Sequence, residues 1–387
     1  MKIYIPFHKM PDGTIATLCA LIIICNKFNS IVLFPIFDPE IERFNVVKKD
    51  SFMTETNSKW LVVVNPKASV GKSGKDWPLI KQTLINEGIE FDDVLTEYPR
   101  HAIEIVRNAI VEKGYRKFIS VGGDGTNNEI INGIFTQDVV PTNEIIMATM
   151  PIGTGNDWRR TFDIPLEYDE VAKIIKAGHV FVHDIGKLTY YNDGDPKIRY
   201  FLNAAGTGLD EMVCSSTNLM KQQGKGGTIR YLISVVKCLF KYKVTHIQIT
   251  IDDQMVFDDN ILSVSVGNCR FNGGGMMMMP NAIPDDGLFD VTVIRKVSIF
   301  KFAANVKNIY DGSFINKIKE VQTFRGKKIR IVSIPPHSLM VETEGENLNN
   351  SPFDFEILPK TINMVIPKEP IQKKNKKKNR FKKKSKK

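Results

Sequence analysis

A glycine-rich stretch with one acid, Gly122–Thr126, separates an apolar segment from a polar one. The apolar residues Lys117–Val121 predict a buried strand, and the periodic isoleucines of Asn127–Phe135 predict a helix. Glycines let a backbone approach phosphate oxygens, and a helix N-terminus offers them N–H donors. A carboxylate such as Asp124 is costly beside phosphate unless a metal ion or a proton transfer needs it. The stretch predicts nucleotide-phosphate binding, with an ordinary turn as the alternative.

Three other turns resemble this one in their small and polar residues. Pro151–Asp157 follows the apolar segment Ile145–Met150, Asn65–Lys72 follows Trp60–Val64, and Thr96 ends a further strand. In open α/β sheets, ligands bind at the carboxyl ends of the strands. The four turns therefore predict one doubly wound α/β sheet with a single ligand-binding edge.

The chain after Gly186 alternates between short β-like segments and turns rich in Asn, Asp and Gly, which predicts an antiparallel β-domain. The predicted strands are Lys187–Tyr191, Tyr200–Ala204, His246–Ile251, Leu262–Gly267, Leu288–Ile294 and Lys328–Ile334. Two helix-like segments, Arg230–Lys241 and Ile299–Tyr310, interrupt them.

The first of these helices carries an apolar stripe with basic residues beside it. The stripe consists of Ile229, Leu232, Ile233, Val236 and Phe240. It favours packing on a core, and docking on a membrane is the alternative. The run Met276–Met279 is also expected in the core, with an acyl-chain channel as the alternative because methionine packs adaptably.

Composition bounds the class of protein. A chain of 387 residues suggests two domains plus extensions. Its five cysteines are scattered without paired spacing, which is typical of a protein in a reducing compartment and argues against a zinc site. The net charge of +10 comes from the C-terminal segment Lys373–Lys387, which holds eleven Lys or Arg and no acid. Without it, 42 basic residues face 43 acids. We expect a disordered tail that binds a polyanion, and nucleic acid, a ribosome and an anionic leaflet are all open from its charge.

The first 58 residues form an N-terminal extension with two apolar runs, Thr14–Cys25 and Ile31–Phe37. Neither reaches the roughly 18 residues of a membrane span. No small-residue cleavage site follows, which argues against a secretion signal. We expect Met53 to be the true start of translation and residues 1–52 an over-extended reading frame. A peripheral membrane anchor is the alternative.

The turns together resemble the diacylglycerol kinase catalytic family, which includes bacterial lipid kinases, sphingosine kinases and ceramide kinases. The matching motifs are Asn65-Pro66 with Ser69, Thr96 with His101-Ala102, Gly122–Thr126 with Asn128-Glu129, and Pro151–Asp157. The Gly122–Thr126 element is shared with NAD kinases and phosphofructokinases. Its pairing with Pro151–Asp157 makes the resemblance specific, and the resemblance covers Lys59 to Pro367.

The resemblance implies a fold, a domain plan and two cofactors, ATP and Mg²⁺. It implies an NAD-kinase-like doubly wound α/β domain at 59–186 and an antiparallel β-sandwich lipid domain at 187–345. A return segment at 346–367 would follow, and the disordered basic tail at 368–387 lies outside the resemblance. The implied nucleotide-binding residues are Asn65, Pro66, Lys67, Ala68, Ser69, Thr96, Gly122, Gly123, Asp124, Gly125, Thr126, Asn127 and Thr154.

Two further sites follow from the same resemblance. The loop Pro280–Leu288 resembles the family's structural magnesium loop, in which the Asp286 carboxylate and the main-chain carbonyls of Ile283 and Leu288 would bind the ion. Glu344-Gly345-Glu346 matches the place of the family's general base, a D-G-E triplet. The first acid here is Glu, so the choice between Glu344 and Glu346 stays open, and Asp124 is expected to organise Mg²⁺ and its waters.

The reaction implied is transfer of the γ-phosphate of ATP to a lipid hydroxyl, with diacylglycerol converted to phosphatidic acid as the first choice. Sphingoid bases, other glycerolipids and an NAD kinase-like activity are alternatives. We expect a cytoplasmic enzyme at the membrane surface, with its lipid substrate and anionic lipid as partners and the basic tail as the contact. No specific nucleic acid is expected, and homodimer formation stays open.

Overall fold

The structure is a computed structural model and describes residues 20–25, 30–35, 56–153, 155–192, 194–222 and 228–368. Residues 1–54 form a unit of their own, in which β1 (Ala20–Cys25) and β2 (Ser30–Pro35) pair antiparallel. Most of the extension and the basic tail after residue 368 lie outside the described residues, so the expectations about the start of translation and the tail stay predictions. No helix in the described ranges is long and apolar enough to cross a membrane.

The first half of the second unit, residues 55–387, alternates strands with helices. Its elements are β3 (Asn57–Val64), α1 (Lys72–Asn86), β4 (Phe91–Leu95), α2 (His101–Lys113), β5 (Tyr115–Gly122), α3 (Asp124–Phe135), a 3₁₀ turn (Thr142–Glu144), β6 (Ile146–Pro151), α4 (Asp157–Thr161) and α5 (Tyr168–Ala177). The four strands are parallel in the order β6-β5-β3-β4, so their carboxyl ends share one edge.

Helix α3 begins three residues earlier than the sequence predicted. The backbone N–H groups of Thr126 and Asn127 both donate to the carbonyl of Gly123, at 3.0 and 3.1 Å, which places Asp124 in the first helical turn. The helix lies close to α2 because Gly133 has no side chain. A Cβ there would lie 2.7 Å from Cβ of Val106.

The second half is rich in antiparallel strands. Its elements are β7 (Val180–Asn192), β8 (Asp195–Phe201), β9 (Ala204–Gly208), α6 (Leu209–Gln222), α7 (Thr228–Lys241), β10 (Thr245–Ile251), β11 (Gln254–Gly267), β12 (Phe289–Arg295), α8 (Ile299–Ala304), α9 (Val306–Tyr310), α10 (Phe314–Lys317), β13 (Val321–Gly326), β14 (Lys328–Ile334), β15 (Met340–Thr343) and β16 (Glu346–Val365). The predicted strand at 200–204 is two strands, the predicted helix at 299–310 is two helices, and α6 was not predicted.

Strand β16 joins the two halves of this unit. It pairs antiparallel with β14, β15 and β7, and its last residues pair parallel with β6 at Asn363 and Met364. All described strands after residue 55 therefore belong to one hydrogen-bonded network. The fold is mixed α/β with a β-rich C-terminal half.

The core prediction for the apolar stripe of α7 is wrong where its side chains are described. Ile233, Val236 and Phe240 are exposed, whereas Val235 and Leu239 are buried. The helix carries apolar residues on both sides, and the pattern of one stripe did not reveal which side faces the core.

Candidate active site

Three polar turns are fixed together at the carboxyl edge of the parallel strands. The backbone N–H of Asn65 donates to the carbonyl of Val121 at 3.0 Å, and the N–H of Ile152 donates to that of Gly122 at 2.6 Å. The turns after β3 and β6 are thus both anchored to β5, which lies between those strands. The arrangement brings the predicted phosphate-binding segments to one place.

Glycines allow these turns to touch. A Cβ at Gly123 would lie 3.0 Å from Cα of Gly153, and a Cβ at Gly122 would collide with the side chain of Thr126. The Thr126 hydroxyl accepts a hydrogen bond from the Asn65 amide at 3.1 Å. Glycine at positions 122 and 123 is therefore required for these turns to pack so closely.

Two carboxylates meet beside the glycine turns. Asp124 accepts hydrogen bonds from the backbone N–H groups of Asp157 at 3.1 Å and Trp158 at 3.3 Å. Asp157 in turn accepts one from Gly274 at 2.7 Å. Burial raises the pKa of Asp124, and burial together with the charge of Asp124 raises the pKa of Asp157 to about 7. Two neighbouring carboxylates with raised pKa values are suited to a cation.

Glu344 is a third acid at this site and lies at the tip of the turn between β15 and β16. Its Oε1 accepts backbone hydrogen bonds from Leu202 at 2.7 Å and Asn203 at 2.6 Å. Its Oε2 is buried and has no hydrogen-bond partner among the described residues. Burial, and then the charge of Asp124, raise its pKa to about 8. One carboxylate oxygen is thus held firmly and the other is available to a proton.

Glu346 has the opposite environment. Its carboxylate forms ion pairs with Arg100, which precedes α2, and with Arg199 of β8. The side chain of Arg199 is only 7% exposed. Glu346 is therefore a link between the two halves of the unit, with its charge compensated by two guanidinium groups.

A single cavity of about 420 Å³ brings polar and apolar walls together. Its polar wall includes Asn65, Gly123–Thr126, Asp157, Asn203 and Glu344. Its apolar wall includes Leu209, Val213, Met220, Val235, Leu262, Met276, Met278, Ile294 and Ile309. Of the methionine run, Met276 and Met278 thus line the cavity, and Met278 and Met279 also belong to the core.

Two more acids line the cavity, Asp210 and Glu342. They flank Gly206, where a Cβ would lie 2.8 Å from Oδ2 of Asp210 and 2.9 Å from Oε1 of Glu342. Asp210 accepts a hydrogen bond from the Ser265 hydroxyl at 2.9 Å, and Glu342 accepts one from the N–H of Gly345 at 3.1 Å. Burial raises the pKa of Asp210 to about 6 and that of Glu342 to about 8.

The sequence-predicted residues divide into three groups. Those that line the cavity are Asn65, Lys67, Ala68, Ser69, Gly123, Asp124, Gly125, Thr126 and Glu344. Those outside its lining are Pro66, Thr96, Gly122, Asn127 and Glu346. Thr96 is held by its N–H to the carbonyl of Val64 at 2.8 Å, and Asn127 accepts a hydrogen bond from Thr149 at 3.2 Å. Thr154 lies outside the described residues.

The predicted magnesium loop lies apart from the cavity lining. Asp286 accepts the N–H of Leu288 at 3.1 Å and pairs with Arg325, and the Ile283 side chain is exposed. Burial raises the pKa of nearby Asp184, and the charges of two loop aspartates add to it. This excess of carboxylates fits a hard cation. Across the described ranges, no group of three or more His, Cys, Asp or Glu forms a metal site.

Sequence reasoning missed Asp157, Asp210 and Glu342 as site residues. Asp157 ends a motif that the sequence singled out, so its acidic side chain was a usable signal. Asp210 and Glu342 meet only because β9 pairs with β15, which places Gly206 opposite Glu342. No local pattern reveals that contact.

Two family models match the chain. The diacylglycerol kinase catalytic domain matches residues 59–188, and the YegS C-terminal NAD kinase beta sandwich-like domain matches residues 203–366. A diacylglycerol kinase of Staphylococcus saprophyticus is 29% identical over 312 residues, which cover 79% of this chain and 94% of that protein.

Two further similar proteins match over a comparable part of the chain. A Bacillus subtilis protein named YtlR and described as a candidate lipid kinase is 26% identical over 322 residues, covering 79% of this chain and 98% of that protein. A crystal structure described as a candidate diacylglycerol kinase from Bacillus anthracis matches with a TM-score of 0.63 and 27% identity. That match covers 80% of this chain and 95% of the other.

Glycine-rich turns, buried acids and an apolar wall meet in one cavity, an arrangement suited to an enzyme that transfers phosphate to an apolar acceptor. With both models matched, the chain contains a diacylglycerol kinase catalytic domain followed by a YegS-type C-terminal domain, and it is a lipid kinase. The family implies ATP as the phosphate donor.

Proposed function

We propose that the protein transfers the γ-phosphate of ATP to the hydroxyl of diacylglycerol, which yields phosphatidic acid and ADP. The observation that carries the proposal is the single cavity in which Gly123–Thr126, Glu344 and an apolar wall meet. The glycine turn is suited to the phosphates of a nucleotide, Glu344 to proton transfer, and the apolar wall to acyl chains. We also propose that the first half of the second unit is an NAD-kinase-like doubly wound domain. Its four parallel strands with helices between them support this proposal.

The donor end rests on the glycine turns. Asn65, Lys67–Ser69 and Gly123–Thr126, which line the cavity, would hold the triphosphate. Mg²⁺ bound with ATP would neutralise phosphate charge. Asp124 is the residue that would hold it, with Asp157 as its neighbour. The raised pKa values of both acids support this role, since a nearby cation favours their charged forms.

Glu344 is the proposed general base. The acceptor oxygen attacks the γ-phosphorus, the bond to the leaving ADP oxygen breaks, and the hydroxyl proton passes to Oε2 of Glu344. The two backbone hydrogen bonds to Oε1 would fix the direction of the free oxygen. Glu346 is unsuited because each of its two carboxylate oxygens is already paired with an arginine.

A structural Mg²⁺ at the loop 280–288 is also part of the proposal. Asp286 would supply its carboxylate, and Ile283 and Leu288 their main-chain carbonyls. The surplus of carboxylates around Asp286 supports a cation there, although Arg325 already pairs with this side chain.

A second candidate acceptor is a sphingoid base or another lipid with an additional amino or hydroxyl group. Asp210 and Glu342 favour it, because two buried acids in a cavity wall provide acceptors that plain acyl chains do not use. In either case the enzyme would work in the cytoplasm at the membrane surface.

Radiolabelled ATP with separate acceptors tests the proposal. The panel contains diacylglycerol, monoacylglycerol, a sphingoid base, phosphatidylglycerol and NAD, and chromatography resolves the products. We expect label in phosphatidic acid and none in NADP. Label only in the sphingoid product would favour the second candidate, and label in none of the lipids would contradict a lipid acceptor.

A further inference from the structure

The outer face of α7 is an apolar strip in contact with solvent. Ile233 is 46% exposed, Val236 49% and Phe240 68%. These residues stand three and seven positions apart, so they share one side of the helix. Leu219 near the end of α6 is 60% exposed as well. We name Ile233, Val236 and Phe240 the outer strip.

The opposite side of the same helix contributes to the apolar wall of the cavity. Val235 lines the cavity, and Cys238 and Leu239 are buried in the core cluster next to it. Helix α6 packs beside α7 through a hydrogen bond of 2.6 Å between the hydroxyls of Ser234 and Ser216. The outer strip is therefore one helix thickness away from the apolar wall of the cavity.

Positive charge accompanies the outer strip. Lys237 and Lys241 are exposed on α7, and Lys243 is exposed just after it. From Met212 to Ile251 the sequence has six basic residues and no Asp or Glu. The six are Lys221, Lys225, Arg230, Lys237, Lys241 and Lys243. An apolar strip beside cations is complementary to a bilayer that carries anionic headgroups over an apolar interior.

A second copy of the chain is a poorer occupant for this face. A two-fold interface would place the same surface against itself. It would bring the lysines of α7 close to their own equivalents, with no acid in the segment to compensate them. Burial of the strip in a homodimer would thus be opposed by like charges, whereas an anionic membrane attracts them.

We propose that the outer strip of α7 docks the enzyme on an anionic lipid bilayer, with Lys237 and Lys241 at the headgroups. This docking places the apolar wall of the cavity next to the bilayer from which the lipid substrate comes. The role of this docking in catalysis rests on the proposed lipid acceptor. The docking itself is a binding property that does not require turnover.

The test is sedimentation of the full chain with vesicles of equimolar phosphatidylcholine and phosphatidylglycerol. Changing Val236→Gln together with Phe240→Ser should weaken binding at least ~10-fold, because both changes remove apolar surface that would be buried in the bilayer. The matched control is Leu79→Gln, which alters an equally exposed apolar residue on α1, 61% exposed, and should bind like the wild type.

A charge variant separates the electrostatic part. Lys237→Gln with Lys241→Gln should weaken binding about fivefold per lysine at low salt. The loss should shrink as salt rises, since screening acts over about 8–10 Å near physiological ionic strength. Vesicles of phosphatidylcholine alone should not distinguish this variant from the wild type. Deleting residues 368–387 in each variant removes the basic tail, and the difference between strip variant and control should persist.

Two results would overturn the proposal. Equal vesicle binding by the strip variant and the Leu79→Gln control would do so. A change from dimer to monomer in the strip variant with unaltered vesicle binding would assign the face to a second copy. Phosphorylation of detergent-dispersed diacylglycerol by the same proteins tests the lipid acceptor separately. A chain inactive on every lipid would contradict the proposed function and leave the vesicle result valid.

Discussion

Glu344 and Glu346 are two residues apart and have opposite electrostatic environments. Glu344 is surrounded by protein near another acid, and one of its oxygens has no hydrogen-bond partner in the described ranges. Glu346 is paired with Arg100 and Arg199. A base must accept a proton, so a raised pKa favours Glu344 for catalysis and an ion-pair network favours Glu346 for structure.

Replacing each glutamate separates these roles. Glu344→Gln should lower kcat by about 10²–10⁴. Glu346→Gln should change kcat by less than about tenfold and should lower the unfolding temperature, because Arg199 loses its partner while buried. Glu356→Gln is the control, since Glu356 pairs with Lys187 at the surface of β16. Equal kinetic losses in the two variants would contradict the division of roles.

The raised pKa of Glu344 also predicts the pH dependence. Without ligands this carboxyl is mostly protonated below about pH 8, so kcat/KM should rise as pH increases towards that value. The folded state holds this proton above the ordinary pKa of 4.5, so the stability contributed by Glu344 falls as pH rises from 4.5 to about 8.

Thermal unfolding provides the check. Glu344→Gln should raise the unfolding temperature at about pH 8 and leave it unchanged at about pH 4. A flat pH profile of kcat/KM in the wild type, or a stability difference that is the same at both pH values, would contradict the assignment.

At the scale of elements, the strand-to-helix turns were predictable and the contacts between distant strands were not. Residues Gly122–Thr126 and Pro151–Asp157 encode their turns locally, through glycines and flanking apolar segments. Helix α6 was missed because its middle, Ser215–Asn218, consists of residues with weak helix propensity. The pairing of β9 with β15 creates the Asp210–Glu342 cluster across more than a hundred residues, which no short pattern reports.

The loop between β11 and β12 carries the metal prediction. If Asp286 holds Mg²⁺, millimolar Mg²⁺ should raise the unfolding temperature of the wild type by a few degrees, and EDTA should reverse the effect. Asp286→Asn should lose the response, while Asp253→Asn in another turn should keep it. An unfolding temperature insensitive to Mg²⁺ and EDTA in the wild type would contradict a structural ion.

In the second unit as a whole, strand β16 is the element that connects the two halves through hydrogen bonds. It begins at Glu346, two residues after the proposed base, and its last residues pair with β6 of the first half. The turn that carries Glu344 is therefore tied to the strand network that carries Asp124. The cavity between them is lined by residues of both halves.

The most direct measurement is the rate of phosphate transfer from ATP to diacylglycerol by Asp124→Asn, compared with the wild type. The substitution keeps the shape of the side chain and removes its charge, so we expect the fold and ATP binding to persist. We expect a rate at least ~100-fold lower, because the charge that would hold Mg²⁺ at the phosphates is lost. A rate near that of the wild type would contradict it.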